Sequence, residues 1–144
     1  MMKKIFFLCL LLFAVPSMAE QKIVIKEVDV HYSAFNSTFL TPQVATSYQL
    51  IRNARKAILS ISLLDNASLD KPALDAKVNG QVKNLIGHTQ VLNFKKIVEG
   101  KAIYYLTEFS INNEEDLRFD IAIDAGLKGS GKLVFSQKFY VAQE

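Results

Sequence analysis

Alternation of apolar and polar residues, the pattern of a strand with one buried face, recurs along most of the chain after residue 20. It is clear where apolar residues alternate with serine, arginine and aspartate, as in the segments 57–64 and 117–124. Short polar or glycine-containing segments, such as 65–68, 112–116 and 126–131, separate these runs and predict turns. The pattern therefore predicts an all-β chain.

Between residues 23 and 48 the pattern changes twice. Ile23 and Ile25 alternate in one phase and Val28, Val30 and Tyr32 in the opposite phase, which predicts a β-bulge or a change of sheet near residues 26–27. A polar loop is predicted over residues 33–42. Thr41 followed by Pro42 is typical of a helix N-cap and first helical residue, so a helix of at most two turns is expected through residue 48.

Two glycines in the second half of the chain carry structural predictions. In the half-exposed strand predicted over residues 74–83, Gly80 interrupts the apolar face, which indicates a bend or the close approach of another backbone. The sequence Glu99-Gly100-Lys101 separates two apolar runs and predicts a hairpin turn.

About seven short strands and at most one short helix fit a two-sheet antiparallel sandwich of immunoglobulin-like architecture. The Cys…Trp…Cys arrangement of antibody domains is absent from the sequence, so only the architecture is comparable. A closed barrel is the alternative fold, but no signal for a wide cavity supports it.

The first 19 residues have the pattern of a cleaved secretory signal peptide. Lys3 and Lys4 precede an apolar run over residues 5–15, and Ser17-Met18-Ala19 supplies the small residues that a signal peptidase recognises. Residues 20–144 then form a single domain, because about 125 residues suffice for one core. We expect this protein to be exported to the periplasm of a Gram-negative bacterium, or secreted.

Removal of the signal peptide changes the composition. The 17 basic residues fall to 15 against 14 acidic ones, so the formal charge falls from +3 to +1, and the mature chain gives no electrostatic indication of nucleic-acid binding. The single Cys and all three Met precede residue 20, so the mature domain contains no sulfur. Disulfide exchange, thiolate catalysis and soft Cu(I) sites are thereby excluded. No later segment is apolar for long enough to span a membrane as a helix.

Only two histidines are available for metal binding or acid-base chemistry. His31 and His88, with Asp29 or Glu99, offer ligands for a hard metal ion, but no His-x-His spacing brings them together, and both are interpreted as ordinary strand-end or loop residues. Asp29 and His31 lie on one face of a strand, about 7 Å apart, which is interpreted as a solvated polar face rather than a catalytic pair. We therefore expect no cofactor, no bound metal and no enzymatic activity.

The candidate binding residues lie in two segments. Large apolar residues are interleaved with polar ones in the predicted loop, which either closes one end of the sandwich or forms a recognition loop. Adjacent tyrosines on one strand point to opposite faces, so one of them is available for an interface. The candidate residues are His31, Phe35, Asn36, Ser37, Thr38, Phe39, Tyr104 and Tyr105. A small basic group at Arg52, Arg55 and Lys56 is interpreted as solvated surface.

Three long strings, VHYSAFNSTFLTP at 30–42, NLIGHTQVLNF at 84–94 and YYLTEFSINNEEDLRFDI at 104–121, carry a resemblance to a known family. The chain resembles small exported proteins of Gram-negative bacteria that are described only as a domain of unknown function. The resemblance covers nearly all of the predicted mature chain. It implies export and a single domain, and it supplies no functional residues.

The leading hypothesis is a non-enzymatic periplasmic module that binds another periplasmic or envelope protein, or an envelope component. The first alternative is a protein that binds a small ligand or a hard metal ion, Zn²⁺ or Cu²⁺. The second is a hydrolase, for which the sequence supplies the weakest support.

Overall fold

The structure, a computed structural model, describes residues 21–141, and the predicted signal peptide therefore lies outside the described residues. This part of the chain forms two antiparallel sheets that face each other, as the alternation predicts. The strands are β1 (Gln21–Ile25), β2 (Val28–Asn36), β3 (Lys56–Asp65), β4 (Lys77–Asn84), β5 (Thr89–Leu92), β6 (Lys95–Glu99), β7 (Ala102–Ser110), β8 (Glu115–Asp124) and β9 (Ser130–Phe139). One sheet has the order β1-β2-β3-β7-β6 and the other β5-β4-β8-β9.

The core lies between the two sheets. Alternate residues of each strand are buried, for example Leu59, Ile61 and Leu63 of β3. Aromatic rings occupy its centre: Phe119 stacks on Phe135 with ring centroids 4.4 Å apart and meets Phe109 edge-on at 5.1 Å. The expected two-sheet sandwich is thus confirmed.

Residues 21–141 form nine strands where about seven were predicted, because two apolar runs are each divided. The phase change at residues 26–27 is a tight hairpin turn and not a bulge, since β1 and β2 pair directly, with Ile25 opposite Val28. Lys26 adopts a left-handed conformation with a φ of 52°. A glycine at this position would have indicated a turn in the sequence, whereas a lysine does not. The run beginning at Leu92 is likewise divided into β5 and β6, which lie in different sheets.

Two further predictions had incorrect boundaries. Residues 33–36 belong to β2 and pair with β3, so the predicted loop over 33–42 is wrong in its first part. β4 begins at Lys77, three residues later than predicted, although Leu74 already hydrogen-bonds to Leu63 and packs on the core.

Other local predictions are confirmed. A short helix, α1 (Pro42–Ser47), begins as expected, and the Thr41 hydroxyl accepts a hydrogen bond from the Val44 amide. Gly80 meets the backbone of β8, because a Cβ atom placed on it would lie 2.4 Å from the carbonyl oxygen of Asp120. β6 and β7 form the expected hairpin around Gly100.

The two sheets are also joined by polar side chains. The amide group of Gln90, on β5, donates to the carbonyl oxygen of Ser110 at 2.9 Å and accepts from its amide nitrogen at 2.8 Å. Gln90 therefore pairs with β7 as a peptide group would. Within residues 21–141, no helix has the length and apolar character that a bilayer span needs.

Candidate functional site

A cleft of about 800 Å³ opens on the outer face of the five-stranded sheet, opposite the inter-sheet core. Its floor is formed by His31 on β2, Ser62 on β3 and Tyr104 on β7. His31 lies directly opposite Ser62 in the β2–β3 pair. The last β3–β7 pair is Ile61 with Tyr105, so the next position of the register places Tyr104 beside Ser62. Because neighbouring strands are about 4.8 Å apart, an imidazole, a hydroxyl and a phenol stand in one row across three strands.

These side chains face outward because of the two-residue repeat of each strand. Val30 and Tyr32, which flank His31, are buried in the inter-sheet core, as are Ile61 and Leu63 on either side of Ser62. The sheet is thus apolar on its inner face and carries hydrogen-bonding groups on this part of its outer face. The sequence pattern places each residue on its face but does not show that the three are neighbours.

One wall of the cleft is the connection between β3 and β4, residues 70–73. Backbone hydrogen bonds fix it against the end of β3: the Asp65 amide donates to Pro72 at 2.9 Å and the Leu74 amide to Leu63 at 2.8 Å. The opposite wall is the β6–β7 hairpin, which contributes Lys101, Ala102 and Ile103. Both walls are therefore built from connections that are themselves held by the sheet.

Asp29 lies beside the cleft and is buried, with 3% of its surface exposed. Its carboxylate accepts hydrogen bonds from Asn66 at 3.1 Å and from the Lys71 ammonium at 3.4 Å, and the Lys22 ammonium lies 3.8 Å away. The hydrogen bond from Asn66, followed by the charges of Lys22 and Lys71, lowers the pKa of Asp29 despite its burial. The prediction that Asp29 lies on a solvated face is therefore wrong. Asp29 instead positions Lys71 at the rim of the cleft.

The outer face of the same sheet is partly covered beyond the cleft. A second, smaller apolar cluster forms where residues 40–50 fold over the sheet, and it consists of Leu50, Ile58 and Leu106, with Phe35, Leu40, Tyr48, Ile97 and Tyr104 packed against them. Tyr48 also donates a hydrogen bond to the Glu99 carboxylate on β6, which raises the pKa of Tyr48. This cover limits the cleft to the half of the outer face that carries His31.

Most of the candidate residues at 35–39 make structural contacts outside the cleft. Phe35 packs in the second cluster, and the Asn36 side chain donates to the carbonyl of Tyr140 at 2.6 Å. The buried Ser37 hydroxyl donates to the Asn53 carbonyl at 2.8 Å and accepts from its amide at 2.9 Å.

The turn that follows is held by a residue from the small basic group. Arg52 donates hydrogen bonds to the carbonyl oxygens of Leu40 at 2.7 Å and Thr38 at 3.3 Å. Its guanidinium group therefore stabilises the turn over residues 38–40. Phe39, by contrast, is 67% exposed on a 3₁₀ turn over Ser37–Phe39.

The two adjacent tyrosines have different environments. Tyr105 is buried between the sheets, where its hydroxyl donates to Asp75 at 2.8 Å and accepts from the Ala76 amide at 2.8 Å. Burial, together with the Asp75 carboxylate, raises the pKa of Tyr105 to about 12. Tyr104 points to the other face and lines the cleft.

Of the eight candidate residues, the structure thus brings only His31 and Tyr104 together at the cleft. Sequence reasoning missed Ser62, Lys71 and Lys101, which come from three separate elements and have no local pattern that marks them. His88 lies on the β4–β5 connection of the other sheet and is exposed, so the two histidines are not combined. Residues 21–141 contain no group of three or more His, Cys, Asp or Glu side chains arranged to hold a metal ion.

Comparison with known proteins gives one family match and several similar structures. Residues 22–142 match DUF4426, a domain of unknown function. The crystal structure of a DUF4426 family protein from Pseudomonas aeruginosa is 29% identical, with a TM-score of 0.76 over 88% of this chain and 99% of that one. No curated protein matches the sequence.

Two structures of FetP from uropathogenic Escherichia coli are more distant. One is of the protein as isolated after expression in the periplasm, and it is 11% identical with a TM-score of 0.58 over 87% of this chain and 96% of that one. The other is a copper-bound variant, with the same identity and TM-score over 88% and 93%. This likeness concerns the fold alone.

Proposed function

This chain belongs to the DUF4426 family, a family of unknown function, and we propose that it is an exported, non-enzymatic binding module whose ligand is a small molecule held in the cleft beside His31 and Tyr104. The single observation that carries the proposal is the cleft itself. The sequence pattern favours a protein or envelope partner, whereas the geometry of the cleft supports the small-ligand alternative better.

The size and lining of the cleft are those of a small-molecule site. Pockets for such ligands have volumes of roughly 300–1,000 Å³, are lined mainly by apolar groups and contain a few convergent polar ones. Here about 800 Å³ is bounded by Leu64, Pro72 and Ile103, with the polar row of His31, Ser62 and Tyr104 as its floor.

A fluorescent probe tests the cleft directly. N-phenyl-1-naphthylamine is an uncharged apolar dye whose emission rises on transfer from water, and we expect it to bind the exported protein at one site. Replacing Ser62 by Phe adds a ring to the floor of the cleft and is expected to abolish that binding while the thermal melting temperature stays within a few degrees. Ser136→Phe, at an exposed position in the middle of β9, is the matched control and is expected to bind the dye as the wild type does.

If Ser62→Phe binds the dye as strongly as the wild type does, the cleft is not the site and the proposal fails. If the wild-type protein does not bind the dye, it fails in the same way. Circular dichroism of both variants is the control that tests whether they are folded.

Export is proposed from the first 19 residues, and the expression of the structurally similar FetP in the periplasm is compatible with it. N-terminal sequencing of the protein from a periplasmic extract is expected to begin at Glu20. Replacing Ala19 by Arg removes the small residue before the cleavage site and is expected to leave the leader attached. Recovery of unprocessed wild-type protein from the cytoplasm alone would contradict export.

An organic ligand is favoured over a metal ion and over catalysis. FetP has a copper-bound form, but this chain has no sulfur after residue 18 and no described group of metal-ligating side chains between residues 21 and 141. The oxygens of Asp29, the acid two positions before His31, are engaged by Asn66 and by lysine ammonium groups, so Asp29 is not available as the acid of a Ser–His–Asp set.

One observation favours a second function, recognition of a protein partner. Phe39 is a large exposed aromatic residue on a turn fixed by hydrogen bonds, and such residues are enriched at interfaces. Chemical cross-linking in the periplasm tests it: Phe39→Ser is expected to lose a specific cross-linked species. Leu127→Ser, at an apolar residue that is 95% exposed on the β8–β9 connection, is the control. Unchanged cross-links in Phe39→Ser would remove this second function.

A further inference from the structure

We infer that the ligand of the cleft is an organic monoanion, a molecule with an apolar body and one carboxylate, whose charge is recognised by Lys101. This inference rests on the proposed function, since it assigns a ligand class to the same cleft. It is carried by the distribution of charge around the cleft, by the donors on its floor and by its apolar walls.

Charges around the cleft leave one positive charge unbalanced. Asp29 is neutralised by the ammonium groups of Lys22 and Lys71, which lie 3.8 and 3.4 Å from its carboxylate. The two ammonium groups carry +2 and the Asp29 carboxylate carries −1, so this group of three has a net charge of +1. Lys101 adds another positive charge and Asp70 one negative charge at the rim, so the five groups together carry +1.

Lys101 is the cation that remains available to a ligand. Between residues 21 and 141 it makes no hydrogen bond or ion pair, whereas Lys71 is directed to Asp29 and Lys96 to Asp75. It lies at the tip of the β6–β7 hairpin, on the wall of the cleft formed by that turn. Lys101 is exposed, and an ammonium group with no internal partner beside a cleft attracts an anion.

The floor supplies hydrogen bonds for the same group. The hydroxyl groups of Ser62 and Tyr104 can each donate to a carboxylate oxygen, and they stand in adjacent positions on β3 and β7. Lys101 begins the same hairpin arm that carries Tyr104, three residues further along. Lys101, Ser62 and Tyr104 all line the same cleft, so a carboxylate bound there has a cation and two hydroxyl donors available to it.

The rest of the cleft is suited to an apolar body. Leu64, Pro72, Ala73, Ala102 and Ile103 provide aliphatic surface beyond the polar row. Burial of an apolar ligand surface supplies most of the binding free energy, at about 25 cal/mol per Å². The charge then decides which ligands are selected.

A pair of dyes with one ring system separates charge from apolar contact. 1-Anilinonaphthalene-8-sulfonate carries one negative charge, and N-phenyl-1-naphthylamine is the same molecule without the sulfonate group. We expect the anionic dye to bind several-fold more tightly at 20 mM salt, and this preference to decrease in 0.5 M salt. Decanoate is expected to displace the neutral dye at a lower concentration than decan-1-ol does.

Charge variants locate the effect at Lys101. Lys101→Gln is expected to weaken binding of the anionic dye by about two- to fivefold and to leave the neutral dye unaffected. Asp70→Asn removes the negative charge at the rim and is expected to strengthen binding of the anionic dye by a similar factor. Lys83→Gln makes the same charge change on β4 of the other sheet and is expected to alter neither affinity.

The outcomes distinguish this inference from the proposed function. If Ser62→Phe abolishes binding of both dyes but Lys101→Gln and Asp70→Asn alter neither, the cleft binds ligands and the assignment of an anion is overturned. If Ser62→Phe leaves both dyes bound, the cleft is not the site and both proposals fail. A decan-1-ol that competes as well as decanoate also overturns the assignment of a carboxylate.

Discussion

The Gly80→Ala substitution tests how closely the central strands of the four-stranded sheet approach each other. Gly80 lies opposite Ile121 in the β4–β8 pair. A Cβ atom on Gly80 would lie 2.4 Å from the carbonyl oxygen of Asp120 and 2.8 Å from the Cα atom of Ile121. Both are backbone atoms, so the contact cannot be relieved by rotation of a side chain.

The magnitude follows from the displacement required. Real Cβ atoms do not approach other atoms within 3.0 Å, so the Asp120 carbonyl must move by at least 0.6 Å from its 2.4 Å position. A shift of that size lengthens neighbouring hydrogen bonds of the β4–β8 pair to the limit of useful geometry. Overpacking costs about 1–3 kcal/mol and each weakened hydrogen bond about 1 kcal/mol. Alanine regains only about 0.5–1 kcal/mol because its unfolded chain is less flexible.

We therefore expect Gly80→Ala to lower the free energy of unfolding by about 2–3 kcal/mol, which corresponds to a melting temperature about 10 °C lower in a domain of this size. Urea denaturation followed by circular dichroism measures the change. Gly131→Ala is the matched control on β9, because its nearest contacts are side-chain atoms of Ile25 at 3.3–3.7 Å, and it is expected to change stability by less than about 1 kcal/mol. A Gly80→Ala protein as stable as the wild type would refute the close approach.

Three further predictions concern hydrogen bonds and ionisation. Tyr105→Phe leaves the Ala76 amide without its acceptor and should lower the free energy of unfolding by about 1–2 kcal/mol, measured by urea denaturation. Because the pKa of Tyr105 in the folded protein, about 12, exceeds its ordinary value of 10, the stability of the wild type should fall between pH 10 and 12. An equal fall in the variant would contradict this assignment to Tyr105. The pKa of Asp29 is lowered on folding, so its contribution to the stability of the folded protein is present above pH 3.8 and is lost as the pH falls through the folded pKa. The melting temperature of Asp29→Asn should therefore depend less steeply on pH between pH 5 and 2 than that of the wild type. An equally steep dependence in the variant would contradict the ion pairs of Asp29. Thr41→Ala should increase amide exchange in α1 by about fivefold, whereas Thr41→Ser should not, and equal exchange in both would exclude the N-cap.

The sequence was sufficient to predict the fold because the information is local. Alternation marks the buried face of each strand. Thr41-Pro42 indicates the start of a helix and Gly80 indicates a close approach of backbones, and both indications depend only on neighbouring residues. The failures have local causes too. Lys26 takes a left-handed conformation without being glycine, so a hairpin was interpreted as a bulge. Residues 33–36 pair with β3 although Ser33 and Asn36 are polar, because the outer face of that sheet is not wholly apolar.

The candidate site was predicted only in part because it depends on register between distant strands. His31 and Ser62 are 31 positions apart in the chain, and they become neighbours because β2 pairs with β3 at one register out of several. Lys71 and Lys101 reach the cleft through the positions of two connections. The tyrosine pair indicated that one ring would face outward, but only the neighbouring strands determine that Tyr104, and not Tyr105, lines a cavity.

The amide group of Gln90 has a consequence for association between molecules. β6 pairs with β7 only between residues 102 and 106, so the remainder of β7 presents peptide groups that a strand from another molecule could use. Gln90 occupies the donor and the acceptor of Ser110 with a side chain. A foreign strand must displace both hydrogen bonds before it can extend the sheet. Gln90 thus hinders the addition of a strand from another molecule at this end of β7.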